Sequence, residues 1–332
     1  MMVLSELRRI GGRWTAMAAT AAALAGVLAA CGGGTAQVSA FVPQRMIVLG
    51  DESSVIVDDG AHNGKKYSVN GLNTSSVRDC LLQPTWVQSL ASHYDMVFAE
   101  CNAAAATPKG FIRAKVGATV EGATTGLDAQ IAEQTASGGA IGSSDIFTVM
   151  IGANDLIALA DRVQAGTLTA ADAVTEARRL GSQVAKRVNA LLATGARAIV
   201  ATVPDMGKSP YALALDKQSA GAAERLSTLT FEFNATLRTG IDPGRFDGRN
   251  YGLVLADDVV QAMARYPSIY GLTNAVDGVC RVALPDCTSA AADLVEGGSA
   301  GGYLWADAKR LAVSAHSQIG TQAVSRATNN PF

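Results

Sequence analysis

Asp145-Ile146-Phe147-Thr148-Val149-Met150-Ile151-Gly152-Ala153-Asn154-Asp155 sets the architecture. An apolar run without regular polar alternation marks a strand buried on both faces. The Gly-x-Asn-Asp that follows is a turn carrying two polar side chains. The layout recurs upstream, where Arg45-Met46-Ile47-Val48-Leu49 runs into Gly50-Asp51-Glu52-Ser53-Ser54. Ala196 to Val203 before Pro204-Asp205, and Tyr251-Gly252-Leu253-Val254-Leu255, read the same way, with Met96-Val97-Phe98 as a further short strand. Helical patterns fall between them, at about 76–92, 127–136, 169–193 and 215–239, and a last helix follows Asp307. Thr169 offers a cap for the third of these and Gly195 a stop. Continuous buried strands alternating with helices predict an α/β fold with a mostly parallel sheet covered on both faces. Ligands in such folds bind beyond the carboxyl ends of the strands, where these polar turns sit. No internal repeat is present, and nothing splits residues 45–332, read as one domain.

Composition narrows the function. The chain has 332 residues, 48% hydrophobic and 17% charged, with a formal net charge of −2. That is long enough to bury a large core, and it lacks the basic footprint of a nucleic-acid binder. The only histidines are His62, His93 and His316, which argues against a multi-histidine metal site. No metal or cofactor is expected.

The N-terminus reads as a targeting segment. Arg8, Arg9 and Arg13 precede a small-residue apolar run from Thr15 to Ala30, too short to span a bilayer comfortably. Leu28-Ala29-Ala30-Cys31 then leads into Gly32-Gly33-Gly34. This resembles a bacterial lipoprotein signal, with residues 1–30 removed, Cys31 lipidated and residues 31–44 a flexible tether. Gly32 after the cysteine, rather than Asp, resembles lipoproteins sent to the outer membrane. The expectation is a lipid-anchored protein of the bacterial cell envelope facing the periplasm, with the membrane as partner through Cys31. An ordinary secretory signal is the alternative.

Four cysteines remain once Cys31 is set aside. An even number in an oxidising compartment suggests disulfides. Cys280 and Cys287 bracket a short loop and form one pair; Cys80 with Cys101 follows by elimination. The alternative is buried free thiols. No CxxC spacing is present, which argues against zinc or thioredoxin chemistry.

Three polar segments could carry chemistry: Gly50-Asp51-Glu52-Ser53-Ser54, Gly152-Ala153-Asn154-Asp155, and Tyr303-Leu304-Trp305-Ala306-Asp307-Ala308-Lys309-Arg310 continuing to His316. Each has a structural reading too: a common turn, a helix cap, a core histidine. Taken in order, the blocks resemble the SGNH, or GDSL, esterase/lipase family along nearly the whole mature length. Ala114-Lys115-Val116-Gly117-Ala118 resembles its second block, and Val203 to Pro210, Phe233-Asn234 and Tyr270 to Asn274 resemble stretches of its larger bacterial members. The resemblance implies a three-layer α/β/α, flavodoxin-like fold and Ser–His–Asp ester hydrolysis without a cofactor. It implies Asp307 as the triad acid and Gly117 and Asn154 as oxyanion-hole donors.

The two reacting positions depart from that pattern. Glu52 stands where the family's serine follows Gly-Asp, and Arg310 stands three residues after Asp307, where the family has histidine. An arginine cannot act as a general base near neutral pH. Ser53 or Ser54 with His316 could form a displaced triad. His62 is a weaker candidate, since Asp58 to Asn63 reads as a plain turn. Two functions follow. One is an envelope ester hydrolase acting on lipid acyl esters or acetylated glycans through Ser53, His316 and Asp307. The other is an inactive pseudo-hydrolase serving as a lipid-anchored binding module, with Glu52 and Arg310 in a bidentate pair at the former centre. A third chemistry, Glu52 as general acid or base, requires a raised Glu52 pKa and no arginine close by.

Overall fold

The computed structural model describes residues 41–244 and 250–329. The signal segment over 1–30 and the lipidation position Cys31 lie outside the described residues. In chain order the strands are β1 (Arg45–Gly50), β2 (Ile56–Val57), β3 (Lys65–Lys66), β4 (Gly110–Ile112), β5 (Asp145–Met150), β6 (Arg197–Ala201), β7 (Tyr251–Val254), β8 (Asn274–Gly278) and β9 (Tyr303–Trp305). The α-helices are α1 (Trp86–His93), α2 (Leu127–Gly138), α3 (Ala153–Gln164), α4 (Ala170–Leu192), α5 (Pro210–Gln218), α6 (Ala222–Gly240), α7 (Ala256–Arg265) and α8 (Val313–Asn329).

The main sheet has the order β4-β1-β5-β6-β7, and every pairing is parallel. This is the flavodoxin-like arrangement, and its order reverses between β1 and β5. Every residue of β5 is buried, as is all of β1 but Arg45 and all of β6 but Arg197. Both faces of the sheet are therefore covered, as an unbroken apolar strand requires. α4 packs on α6 and α3, while α1 packs on α8. Gly181 lets α4 and α6 approach closely: a Cβ there would lie 2.2 Å from the Phe233 carbonyl oxygen.

Two contacts set the register that positions the site. At one end Arg45 lies opposite Asp145, with Nε to Oδ1 at 2.8 Å and Nη2 to Oδ2 at 2.7 Å. At the other end Gly50 lies opposite Met150, and Asp51 N–H donates to the Met150 carbonyl at 3.1 Å. Gly50 has φ +145°, and a Cβ would meet the Met150 oxygen at 2.2 Å. The turns after β1 and β5 thus leave the sheet side by side.

Outside the main sheet, β2 pairs antiparallel with β3 and β8 parallel with β9. A second apolar cluster, including Val279, Cys287, Ala306 and Ala312, packs under β8 and β9. The disulfides are Cys80–Cys101 and Cys280–Cys287.

Several elements differ from the sequence reading. Of the tether expected over 31–44, residues 31–40 lie outside the described residues; in the remainder Pro43 is buried and Gln44 N–H donates to the Ser144 carbonyl. The helix expected over 76–92 begins only at Trp86: Pro84 disfavours helix in the residue before it, and Gln83 sits at φ 51°. The helix expected over 215–239 is two, broken at Gly221 with φ 79°. Met96 to Phe98 makes only isolated bridges, and the edge strand is the short β4. The sequence reading placed no helix at α3 or α7.

Replacing Gly50 by alanine is expected to cost about 3 kcal/mol or more, since backbone must move to admit the methyl. Gly60, at φ +73° with nothing within 4 Å of an added Cβ, is the control, with a cost of about 1 kcal/mol for Gly60→Ala. Urea denaturation midpoints measure both; equal losses would show that the end of β1 yields easily.

Candidate functional site

The turn after β1 is held from several sides. Gln130, fully buried on α2, accepts from Gly50 N–H at 2.8 Å and donates to the Gly50 carbonyl at 2.8 Å. Lys115 N–H donates to the same carbonyl at 3.0 Å. Asp51 is buried and its Oδ1 accepts from Ser53 N–H at 3.0 Å, which starts a single 3-10 turn over Glu52–Ser54. That turn points Glu52 toward the segment after β4 and the start of α3.

Glu52 is only 4% exposed, and its carboxylate is held by three donors. Oε1 accepts from Gly117 N–H at 3.0 Å and from Arg310 Nη2 at 2.5 Å. Oε2 accepts from Asn154 Nδ2 at 2.8 Å. Gly117 and Asn154, the residues expected to cradle an oxyanion, therefore converge on a resident carboxylate. Asn154 Nδ2 also donates to the Ala118 carbonyl at 2.9 Å, and both Asp155 oxygens accept from Val120 N–H, at 3.2 and 3.0 Å. The start of α3 thus pins residues 117–120 beside Glu52.

Asp307 acts on the other partner. Its Oδ1 accepts from the N–H groups of Lys309 and Arg310, both at 2.7 Å. The Arg310 carbonyl accepts from Ala306 N–H at 2.7 Å, closing a tight loop that aims Arg310 at Glu52. The expected bidentate pair is not formed: Arg310 gives one N–H to Oε1, and Oε2 accepts from Asn154. Asp307 also does not cap the last helix, which begins at Val313.

The electrostatics follow from this packing. Burial works to raise the Glu52 pKa, but the Arg310 charge and then the Asn154 and Gly117 hydrogen bonds bring it below the ordinary carboxylate range. A general acid or base at Glu52 needs the opposite shift and no arginine beside it. Asp51 moves the other way, pushed up by burial and then by the Glu52 charge. Burial also pushes Asp155 up to about 7.

Among the described residues no hydrogen bond links the members of the expected displaced triad. Ser54 is fully buried and its hydroxyl accepts from Trp86 Nε1 at 3.1 Å. Ser53 precedes it on the same turn and donates its N–H to Asp51 Oδ1. His316 is 1% exposed, and its Nδ1 has no hydrogen-bond partner. Burial, then the charge of Lys66, lowers its pKa to about 3. Lys66 is itself fully buried, donating to the carbonyls of Cys80, Leu82 and Gln83 at 3.1, 2.6 and 2.9 Å. The physical reason is the path of the chain: after Arg310 it bridges back from Leu311 to Trp305 and enters α8, whose buried face takes His316 into the interior. Among the described residues no serine hydroxyl is hydrogen-bonded to a histidine ring. His62 lies in an Asp-rich turn, where Asp58 accepts from Gly60 N–H and Asp59 from Ala61 and Asn63 N–H. Gln130 had no signal in the sequence: a glutamine on a helix gives no hint that it braces a strand end.

A family model described as GDSL-like lipase/acylhydrolase matches residues 59–293. The chain belongs to this family. The matched span holds Gly117 and Asn154 and leaves out Glu52, Asp307 and Arg310. No curated protein matches the chain. Among solved structures, a lipolytic G-D-S-L family protein of Veillonella parvula is 12% identical with a TM-score of 0.40, covering 85% of this chain and 96% of that one. LAE5, an alpha/beta hydrolase enzyme from the metagenome of Lake Arreo, is 14% identical with a TM-score of 0.40, covering 86% and 94%. A Bacillus subtilis protein is 15% identical with a TM-score of 0.38, covering 86% and 56%. Likeness this distant transfers no residue role. Gly117 and Asn154, expected from the sequence to hold an oxyanion, here hold the Glu52 carboxylate.

The raised pKa of Asp155 has a pH signature. The folded state holds this proton up to about pH 7, whereas an unfolded aspartate releases it near pH 3.9. Between those values the group's contribution to stability falls as pH rises, by at most about 1.4 kcal/mol per pH unit. Asp155→Asn removes that dependence, so the variant's melting temperature relative to wild type is expected to climb from pH 4.5 to 7.5. A difference that stays constant across this range would contradict a buried, late-titrating Asp155.

Proposed function

We propose that this GDSL-family chain is a non-hydrolytic member, a lipid-anchored binding module of the bacterial cell envelope. One observation carries the reading: the Glu52 carboxylate accepts from Gly117 N–H and Asn154 Nδ2 and is paired with Arg310. An ester carbonyl can use those donors only after displacing a charged acceptor from them. Separating a buried ion pair costs about 3–5 kcal/mol. The nucleophile and base positions are meanwhile held by a carboxylate and a guanidinium of opposite charge, which satisfy each other.

The envelope setting rests on the N-terminal sequence with Cys31 and is supported by the two disulfides, which suit an oxidising compartment. No helix among the described residues is long and apolar enough to cross a membrane. The partners in this reading are lipids or acylated glycans recognised without cleavage, through surfaces inherited from the family's substrate face.

Short-chain p-nitrophenyl esters provide the test. Wild type is expected to be silent, as are Glu52→Ser and Arg310→His singly, because one lacks a base and the other a nucleophile. The double variant E52S/R310H frees both donors and supplies both groups. It is expected to gain hydrolysis, with the histidine worth about 10²–10⁴-fold as general acid–base. Wild-type turnover that Ser53→Ala or His316→Ala abolishes would overturn the proposal.

A further inference from the structure

A second site lies on the helical layer, away from Glu52. α3, α4, α5 and α6 leave a cleft of about 110 Å3 between them. Its wall is apolar, formed chiefly by Val163, Ala173, Val174, Leu215 and Leu229, and Arg225 stands in its lining. Ten residues of α3, about 15 Å of helix rise, separate Asn154 from Gln164 at this cleft.

Arg225 is held but not neutralised. Nη1 donates to the Ala220 carbonyl at 3.2 Å and Nη2 to Ser219 Oγ at 3.1 Å, both uncharged acceptors. No carboxylate among the described residues forms an ion pair with it, in contrast to Arg178, Arg179 and Arg187 on α4. Asp216, on the neighbouring α5, accepts from Ala223 N–H instead. A fixed guanidinium with spare N–H donors beside an apolar slot is complementary to a molecule with an anionic head and an alkyl tail.

We propose that this cleft binds an alkyl carboxylate, with the head on Arg225 and the tail between α3, α4 and α5. The proposal stands apart from the reading of Glu52. A catalytically active chain could carry this site, and a silent one could lack it.

Isothermal titration of the full chain with butanoate, hexanoate and octanoate, below their micellar concentrations, tests it. Affinity is expected to rise about fourfold per methylene while the tail fills the slot, then level off. Octanol, lacking the charge, is expected to bind at least tenfold more weakly than octanoate. Arg225→Gln, a change at the cleft mouth, should erase that difference while leaving the melting temperature near wild type. Leu215→Trp should fill the slot and abolish binding of both compounds. Absence of octanoate binding would overturn the proposal, as would binding that neither substitution reduces.

Discussion

A carboxylate buried beside the end of a parallel sheet must be neutralised or solvated, and Glu52 is solvated by the protein. Its donors come from three places far apart in sequence: the loop carrying Gly117, the first turn of α3 carrying Asn154, and the loop carrying Arg310. Each must arrive within hydrogen-bond reach, so the strand ends and loops around them are braced in turn. Gln130 clamps both backbone groups of Gly50, Asp155 clamps Val120, and Asp307 clamps the backbone of Arg310. The parallel register of β1 and β5 is what brings the first two of these assemblies together.

The same geometry keeps Glu52 charged. Donors that the family resemblance assigns to an oxyanion suit any negative oxygen, and the Glu52 carboxylate offers them one. The triad acid in the family pattern orients a histidine. Here Asp307 bonds to backbone N–H groups and so orients an arginine through its main chain. The acids nearby divide by environment. Glu52 gains a cation and is held charged, whereas Asp51 has burial and a like charge beside it and is pushed toward its neutral form. Two adjacent acids with opposite shifts avoid placing two negative charges together in a region of low dielectric.

Lys66 and His316 form a separate buried polar group behind the site. The ammonium satisfies three carbonyls next to the Cys80–Cys101 bridge, and its charge, together with burial, keeps the nearby imidazole neutral. His316 lies on the buried face of α8.

Local pattern was enough for the layered α/β class, the strands β1, β5, β6 and β7, the cysteine pairing and the three polar blocks. An apolar run buries both its faces wherever it lies, and a Gly-rich turn ends it. The residue order also raised the pairing of Glu52 with Arg310, which the structure forms. The late start of α1 after Pro84 and the break at Gly221 are local signals that the apolar periodicity runs through, whereas the short β4 depends on its neighbours. The remaining features needed the folded chain. The placement of Glu52 between Gly117 and Asn154, the inward turn of His316 and the clamp by Gln130 are contacts between residues far apart in sequence. Such contacts follow from the directions in which side chains leave their elements, and no local spacing encodes those directions.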